Sequence, residues 1–178
     1  MDYRIRVAEA SDVDAIAALI RCSARELSRD HYSDEQIEGA TAFIFGVDSE
    51  LIEDRTYFVA EVGEQLIGCG GWSRRKTLFG GDQAHSRQTG ELNPERDAAK
   101  IRAFFVHPTW ARHGVGKALL MHCEAEALHA GFRSLELMAT LPGVAFYRAM
   151  GYEAVENFTY PAGKEILKFV AMRKAIRT

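Results

Sequence analysis

The first part of the chain combines a short strand-like run with two segments of helical periodicity. Apolar residues recur at helical spacing from Val13 to Leu27 and again from Ile37 to Ile44. Each set is preceded by the capping-box form that opens a helix, Ser11-Asp-Val-Asp14 for the first and Ser33-Asp-Glu-Gln36 for the second. Together with the run from Arg4 to Val7, these patterns predict one strand followed by two helices.

The next two strand-like runs are close enough in sequence to form a hairpin. Thr56 to Val62 and Leu66 to Trp72 are rich in strand-forming residues and are separated by Gly63-Glu-Gln65. The second run contains three glycines, Gly68, Gly70 and Gly71. Since glycine is unfavourable inside a strand, it indicates a bulge there or a close approach by another group.

A stretch without periodicity, Arg74 to Asp97, predicts an unusually long loop, either a functional lid or disordered. The apolar run Ala103 to Val106 then predicts a covered strand that stops near Pro108. A single apolar stripe from Gly116 to Ala130 predicts a helix lying on a sheet. Ser134 to Ala139 should return as a strand parallel to the first, because a strand-helix-strand unit of this length crosses over right-handed.

The C-terminal part predicts a short helix and a final hairpin. The helix is stopped by Gly151, and the two strands are Glu153 to Tyr160 and Ile166 to Met172. No internal repeat, low-complexity tract or linker interrupts the 178 residues, so we expect one domain over 1–178.

The composition excludes some classes of protein but does not identify a function. The chain is 47% hydrophobic and 26% charged, with a net charge of -3, which gives no electrostatic footprint for nucleic acid or for an anionic membrane. Its three cysteines form no Cys-x-x-Cys pair and are typical of a reducing compartment. Because Met1 to Arg6 lacks an apolar signal core and no run is long enough to span a bilayer, we expect a cytoplasmic protein.

The stretch between the covered strand and its helix has the properties of an anion site. The first turn of a helix has free backbone N–H groups at the positive end of the helix dipole, and the residues from Arg112 to Lys117 add basic side chains there. Gly114 allows a ligand oxygen to approach the backbone, and Gly116 should allow the helix to lie close to the strand. The turn therefore predicts a site for phosphate or pyrophosphate.

Two common nucleotide motifs do not fit this turn. A dinucleotide fingerprint starting at Gly114 would require glycine where the chain has Leu119. A P-loop ending at Gly116-Lys117 would require glycine and serine or threonine at positions occupied by Ala111 and Ala118. By itself the turn is also compatible with an ordinary helix start.

The remaining pattern resembles the acetyl-CoA signature of the GNAT superfamily of N-acetyltransferases. Val106-His-Pro108 followed by Ala111-Arg-His-Gly114-Val-Gly116 resembles the strand end and the Q/R-x-x-G-x-G/A turn of that family. Phe146-Tyr147 with Gly151-Tyr152 resembles its later A-x-F-Y-x-x-x-G-F/Y segment. The chain departs from the family at Ala111, which removes a side-chain phosphate contact.

The resemblance implies an α/β fold with a mixed, mostly antiparallel sheet of about seven strands, a splayed central parallel pair and about four helices. Acetyl-CoA would lie in the splay with its thioester near the end of the first parallel strand, where backbone N–H groups can stabilise the oxyanion. Where many members have an asparagine after the second parallel strand, this chain reads Thr140-Leu-Pro-Gly143. The implied cofactor-binding residues are Phe105, Val106, Arg112, His113, Gly114, Val115, Gly116, Lys117, Thr140 and Phe146.

For catalysis the resemblance implies direct attack by an amine on the thioester, with Tyr147 as the proton donor to the departing thiolate. The alternative role of Tyr147 is that of a core aromatic. The general base stays open between a water chain and several side chains. These side chains are His85, Glu91, His107 and Glu136.

The acceptor should be a small-molecule amine or a peptide. We expect its pocket to be bordered by Trp72, Arg74 and Arg102, because Arg102 is a charge on a covered strand and needs a partner. The alternative for Arg102 is a structural pair with a carboxylate such as Glu136. We expect no metal, since only His122 with Glu126 has helical ligand spacing. A non-catalytic acetyl-CoA sensor is the rival function, and a homodimer is compatible with both.

Overall fold

The structure is a computed structural model that describes residues 2–178. Its strands are β1 (Arg4–Val7), β2 (Tyr57–Val62), β3 (Gln65–Ser73), β4 (Ala99–Val106), β5 (Ser134–Thr140), β6 (Glu153–Ala162) and β7 (Glu165–Ala175). Its helices are α1 (Val13–Leu27), α2 (Asp34–Phe43), α3 (Ser49–Glu53), α4 (Val115–His129) and α5 (Val144–Ala149). None of these helices combines the length and the apolar character that a membrane span requires.

The seven strands form one sheet in the order β1-β2-β3-β4-β5-β7-β6. All neighbours are antiparallel except β4 and β5, which are parallel. This is the mixed sheet with a central parallel pair that the sequence predicted, and the predicted hairpins β2–β3 and β6–β7 are both present. The sheet therefore confirms the predicted fold class.

Two hydrophobic cores cover the two faces of the sheet. Buried residues of α1, α2 and α3, such as Ile20, Ile37 and Leu51, pack on one face. Buried residues of α4, such as Leu119 and Cys123, pack on the other. Because apolar side chains are buried against both faces of the sheet, the central strands are covered, as predicted.

The start of α1 differs from the prediction, whereas the start of α2 agrees with it. Ser33 and Gln36 form the predicted capping box of α2. The box before α1 is formed by Glu9 and Asp12, not by Ser11 and Asp14, and it closes a short 3-10 turn that precedes the helix. Both positions carry polar residues, so the local sequence alone did not distinguish between the two registers.

The short helix α3 was not predicted. It has only five residues, too few for helical periodicity to show. Its N-cap is Asp48, whose carboxylate accepts a hydrogen bond from the Glu50 backbone N–H at 3.2 Å. This capping fixes the position of Asp48 at the start of the helix.

The glycine that allows α4 to lie close to the sheet is Gly68 of β3, not Gly116. A Cβ at Gly68 would come within 2.8 Å of a Val115 methyl and 3.1 Å of a Leu119 methyl. At Gly116 the nearest atoms, in Val106 and Phe146, would be 3.5 Å away, an ordinary contact distance. The closest approach of the helix to the sheet therefore depends on one of the β3 glycines for which the sequence had predicted a bulge or a close approach.

A buried ion pair fixes the long loop 74–97 to the sheet. Arg102 of β4 and Asp48 are 3% and 0% exposed, and their Nη2 and Oδ2 atoms are 2.5 Å apart. Arg102 also donates to the loop carbonyls of Thr77 and Gly80, at 3.1 and 2.6 Å. Arg87 of the same loop contacts the second Asp48 oxygen at 3.1 Å. One buried carboxylate thus joins α3, β4 and the loop.

Asp48→Asn tests the contribution of this carboxylate to stability. The amide keeps an oxygen for capping α3 but removes the negative charge, so Arg102 remains buried without a counter-ion. We expect the free energy of unfolding in urea to fall by about 3–5 kcal/mol.

Glu53→Gln is the matched control, because Glu53 lies on the same helix, is 74% exposed and approaches Arg75 at 3.5 Å. Its loss should be within about 1 kcal/mol. Equal losses in the two variants would contradict a special role for Asp48.

Candidate active site

A β-bulge in β4 shapes the centre of the site. Cys69 pairs with Phe105 and Gly71 with Arg102, so Ala103 and Phe104 together oppose the single residue Gly70. Ala103 has a positive φ of 54°, which is unusual for a residue with a side chain. The Phe104 ring occupies the space above Gly70, where a Cβ would lie only 2.6 Å from it. The bulge thus lies in β4, the strand beside the glycines, and not in β3 itself, and at Gly70 the predicted close approach is that of the Phe104 ring.

Beyond this bulge β4 and β5 separate. They are paired only at Ala99 with Leu135 and Lys100 with Glu136. His107 donates its N–H to Ile67 of β3 at 2.8 Å. Because successive residues of a strand direct their backbone groups to opposite edges, the N–H groups of Val106 and Phe104 face the gap beside β5.

A cavity of about 920 Å³ occupies this gap and passes through the sheet. Its wall includes Ala103 and Phe105, which pack against the hydrophobic core on the α1 face of the sheet. It also includes Phe104 and Val106, which pack against the core on the α4 face. The separation of the two strands therefore connects the two faces of the protein.

One end of the cavity lies at the N-terminus of α4. Ala118 is the first residue of this helix whose N–H reaches a helical acceptor, the Gly114 carbonyl at 3.0 Å. The N–H groups of residues 115–117 lack a helical acceptor. Gly114 has a φ of 83° and nothing within 4 Å of the position of a Cβ. A left-handed residue followed by a helical turn makes a concave group of N–H donors that binds anions.

Most of the predicted cofactor-binding residues line this cavity. They are Phe105, Val106, Arg112, Gly114, Gly116, Lys117, Thr140 and Phe146. The side chains of His113 and Val115 do not. The His113 ring lies 2.9 Å from the Ala111 carbonyl. Val115 is 1% exposed in the core, which leaves only its backbone groups for a ligand.

The residues that depart from the family pattern also border the cavity. Ala111 and Pro142 are part of its wall, and neither has a polar side-chain atom. Arg112, beside Ala111, lines the cavity with a left-handed φ of 63°. Arg112 is therefore the basic residue adjacent in sequence to the position where the family pattern has glutamine or arginine.

Tyr147 lies on α5 in the wall of the cavity. Its ring packs against Phe146 and Tyr152, with centroids 5.0 and 5.7 Å away. Its hydroxyl makes no hydrogen bond to another residue in the described range 2–178. Burial raises the pKa of this hydroxyl above its usual range, so it stays a neutral O–H donor at all ordinary pH values.

Trp72 and Arg74 are not in the cavity wall, which contradicts their predicted position. Trp72 pairs with Ile101, one residue from the Gly71–Arg102 pair, and alternation along the strand turns it to the other face of the sheet. There its ring packs on Phe132 at 6.0 Å and is 2% exposed. The Arg74 guanidinium lies 5.3 Å from the Trp72 ring centroid.

Arg102 lines the cavity, and Asp48 balances its charge. Its two terminal nitrogens bind Asp48 and the carbonyls of Thr77 and Gly80. Glu136, the predicted alternative partner, is paired with Lys100 instead. Arg102 therefore positions the loop that forms part of the cavity wall.

The candidate general bases do not reach the site. His85, Glu91, His107 and Glu136 are absent from the cavity wall, and within residues 2–178 no Asp, Glu or His lines it. The charged residues that do line it are all basic, Arg102, Arg112 and Lys117. The chain also holds no group of three metal-ligating side chains within the described residues.

Nothing in the sequence indicated that several residues of the cavity wall belong to the site. They are Leu27 at the end of α1, Phe45 in the turn after α2, and Leu78 and Phe79 in the long loop. Phe45 packs edge-on against Phe105 at 5.6 Å. Loop residues are brought to the cavity by long-range contacts, and no local pattern of hydrophobicity reports such contacts.

The comparisons with known proteins agree with this geometry. The model of the acetyltransferase (GNAT) family matches residues 14–152. A comparison with curated protein sequences gave no significant match. Among solved structures, a GCN5-related N-acetyltransferase from Rhodopseudomonas palustris is 22% identical with a TM-score of 0.73, covering 99% of this chain and 97% of that one.

Two further similar structures were solved with the cofactor or a part of it. The PaiA N-acetyltransferase from Thermoplasma acidophilum, in complex with coenzyme A, is 16% identical with a TM-score of 0.68 and covers 99% of this chain and 100% of that one. YncA from Salmonella typhimurium, with acetyl-CoA, is 17% identical with a TM-score of 0.65 and covers 100% and 96%. At these identities the structures show a shared fold. Since the family model spans most of the sequence, the chain belongs to the GNAT family of acetyltransferases.

Proposed function

We propose that this protein transfers the acetyl group of acetyl-CoA to an amine by direct attack within a ternary complex. The observation that carries the proposal is the single cavity that joins the N–H groups at the start of α4 to the opposite face of the sheet. An acyl donor with a phosphate-bearing tail can enter from one face and an amine from the other. The two reacting groups would meet at the gap between β4 and β5.

The phosphate-bearing part of acetyl-CoA suits the α4 end of the cavity. Residues 115–117 offer backbone N–H groups without helical acceptors, and Arg112 and Lys117 add positive charge beside them. Free N–H groups and the helix dipole both favour an anion. This end of the cavity therefore fits a pyrophosphate.

The middle of the cavity suits the thioester. The N–H groups of Phe104 and Val106 face the gap, where β5 gives them no strand partner. Donors fixed in this way can stabilise negative charge on a thioester carbonyl oxygen as the amine attacks. Oriented backbone donors need no reorganisation during the reaction, which is why they are effective.

Tyr147 is the residue we propose as the proton donor. Attack forms the C–N bond and leaves the nitrogen positively charged. When the tetrahedral intermediate collapses, the C–S bond breaks, the thiolate takes the Tyr147 proton, and the proton that the nitrogen loses restores the tyrosine hydroxyl. The Tyr147 hydroxyl has no competing protein partner within the described residues and lies in the cavity wall. Its raised pKa keeps it protonated but also makes it a weaker acid.

A thiol-release assay separates this function from a non-catalytic acetyl-CoA sensor. The protein is mixed with acetyl-CoA and a panel of amines, and free coenzyme A thiol is followed with a disulfide reagent. A transferase releases thiol at a rate that depends on the amine. Tight acetyl-CoA binding without amine-dependent thiol release would instead support a sensor.

Gly114→Val tests the anion site. The branched side chain would project into the open space beside the N–H groups of the α4 turn, so we expect the acetyl-CoA dissociation constant from calorimetry to rise about 100-fold or more. Gly63→Val is the matched control, because Gly63 also has a positive φ, 58°, and nothing within 4 Å of a Cβ. It should show the same backbone strain and unchanged affinity. Equal affinity in both variants would place the phosphates elsewhere.

Tyr147→Phe tests the proton donor. The change keeps the ring and removes the hydroxyl, so turnover should fall roughly 10- to 1,000-fold while acetyl-CoA affinity and melting temperature hardly change. Tyr3→Phe serves as the control, because Tyr3 is not in the cavity wall. The measurement is single-turnover acetyl transfer with a true acceptor. Wild-type rates in Tyr147→Phe would reduce Tyr147 to a packing residue.

The pH dependence of turnover provides a further test of Tyr147. An ordinary tyrosine ionises near pH 10, and burial raises the pKa of this one. The acid form is therefore present below that pH and is lost only above it. We expect no decline in kcat from Tyr147 ionisation up to about pH 10. A decline at lower pH that disappears in Tyr147→Phe would contradict this assignment.

A further inference from the structure

The end of the cavity opposite the α4 turn has a wall that differs from the phosphate end. It is formed by apolar side chains from α1, the turn after α2, the long loop and β4. These are Leu27, Ile44, Phe45, Leu78, Phe79 and Phe105. Phe45 and Phe105 pack edge-on, and Phe79 packs in the same way on Tyr160 at 4.9 Å. Ser23 of α1 and Ser28 directly after it also line the cavity, so the wall is mainly apolar, and three of these six apolar side chains are aromatic.

This apolar end offers no free charge to an acceptor. No carboxylate lines the cavity within residues 2–178, so a second ammonium on the acceptor would be buried without a counter-ion. Arg102 is the cation nearest to this end, but its terminal nitrogens are bound to Asp48 and to two loop carbonyls. The Arg102 Nε is buried without a hydrogen-bond partner among the described residues, but an acceptor carboxylate that paired with it would share a guanidinium whose charge Asp48 already balances.

The absence of an acidic or imidazole group in the described cavity wall also affects the attacking amine. An ammonium cannot attack the thioester, and burying it in an apolar site costs several kcal/mol. Because no side chain there can accept its proton, the amine must lose the proton before or during entry. The cavity therefore selects the neutral free base.

We propose that the acceptor is a primary amine on an uncharged aromatic framework, bound as the free base. This inference rests on the acetyl transfer proposed above and adds the chemical class of the acceptor. Aromatic rings fit a wall of edge-on phenylalanines, and polyamines, aminoglycosides and free amino acids do not fit a site without available counter-charges. Phe79 forms part of that wall because Arg102 holds the carbonyls of Thr77 and Gly80 on either side of it.

The test is a matched panel of amines with saturating acetyl-CoA and the full chain. Phenethylamine is the aromatic probe, phenylalanine adds a carboxylate to the same framework, hexylamine replaces the ring by an alkyl chain, and diaminohexane adds a second ammonium. We expect kcat/KM for phenethylamine to exceed that for phenylalanine and diaminohexane by about tenfold or more, with hexylamine between them. A preference for the diamine or for the amino acid would overturn the inference and leave the transferase proposal standing. Absence of thiol release with every amine, with acetyl-CoA still bound, would overturn the transferase proposal itself.

The pH profile provides an independent measurement. If the amine enters as the free base, kcat/KM for phenethylamine should rise about tenfold per pH unit until the amine's own pKa. A β-fluorinated analogue with a less basic amine should shift the profile down by the difference between the two amine pKa values. A midpoint that stays fixed when the amine is changed would reveal an enzyme base and overturn the free-base part of the inference.

A charge placed in the apolar wall should change the selectivity. Leu27 lies at the end of α1, lines the cavity and is 38% exposed, so Leu27→Glu should fold and provide a counter-charge. We expect the diaminohexane to phenethylamine ratio of kcat/KM to rise about tenfold. Val13→Glu is the control, because Val13 is 37% exposed on the same helix but outside the cavity wall. An unchanged ratio in a folded Leu27→Glu variant, judged by its melting temperature, would mean that the acceptor does not bind at this end.

Discussion

β4 and β5 are parallel neighbours at only two residue pairs before they separate. Inside a protein this separation is costly, because strand N–H and C=O groups that lose their ladder partner must find another or face a solvent-filled space. Here they face a cavity that a ligand can enter. The separation thus provides the space for a ligand and the backbone N–H groups that line this space. The other features of the site depend on the separation.

The bulge at Ala103 and Phe104 accompanies the separation. It places two residues of β4 against Gly70 and bends the strand where the parallel pair ends. The Phe104 ring lies over that glycine, which explains why the neighbouring strand tolerates a residue that strands otherwise disfavour. The bulge in β4 and the glycine in β3 would each weaken an ordinary sheet. Here they lie side by side at the position where β4 and β5 separate.

The distribution of charge along the cavity follows from how its two ends are built. At the α4 end, basic side chains and free N–H groups are exposed and available. At the other end, the single arginine, Arg102, is buried, and its terminal nitrogens bind Asp48 and a carbonyl of the long loop. A cation that holds a loop in place is a poor ligand for a substrate, because releasing it would expose a buried carboxylate without a partner. The cavity thus has basic side chains and free N–H groups at one end and mainly apolar side chains at the other.

The sequence by itself determined the features that arise from local patterns. Hydrophobic patterns predicted all seven strands and the longer helices. The glycine turn between Val106 and Lys117 marked a helix start with free N–H groups, because such groups are a property of the local chain. The position of Arg102 directly before the apolar run Ala103 to Val106 also marked it as a charge on a covered strand. The five-residue helix α3 was too short for any such signal.

The tertiary structure alone decided which side chains meet. The partner of Arg102 is Asp48, far away in sequence and before the helix that was not predicted, not Glu136. Trp72 lies on the face of the sheet opposite Arg102. Which face a residue of β3 or β4 occupies depends on the register of the two strands, and the bulge sets that register. The aromatic wall comes from segments such as Phe45 and Phe79 that only the closed fold brings together. Local patterns report the periodicity of one segment, whereas a pocket depends on distances between segments, which no single segment encodes.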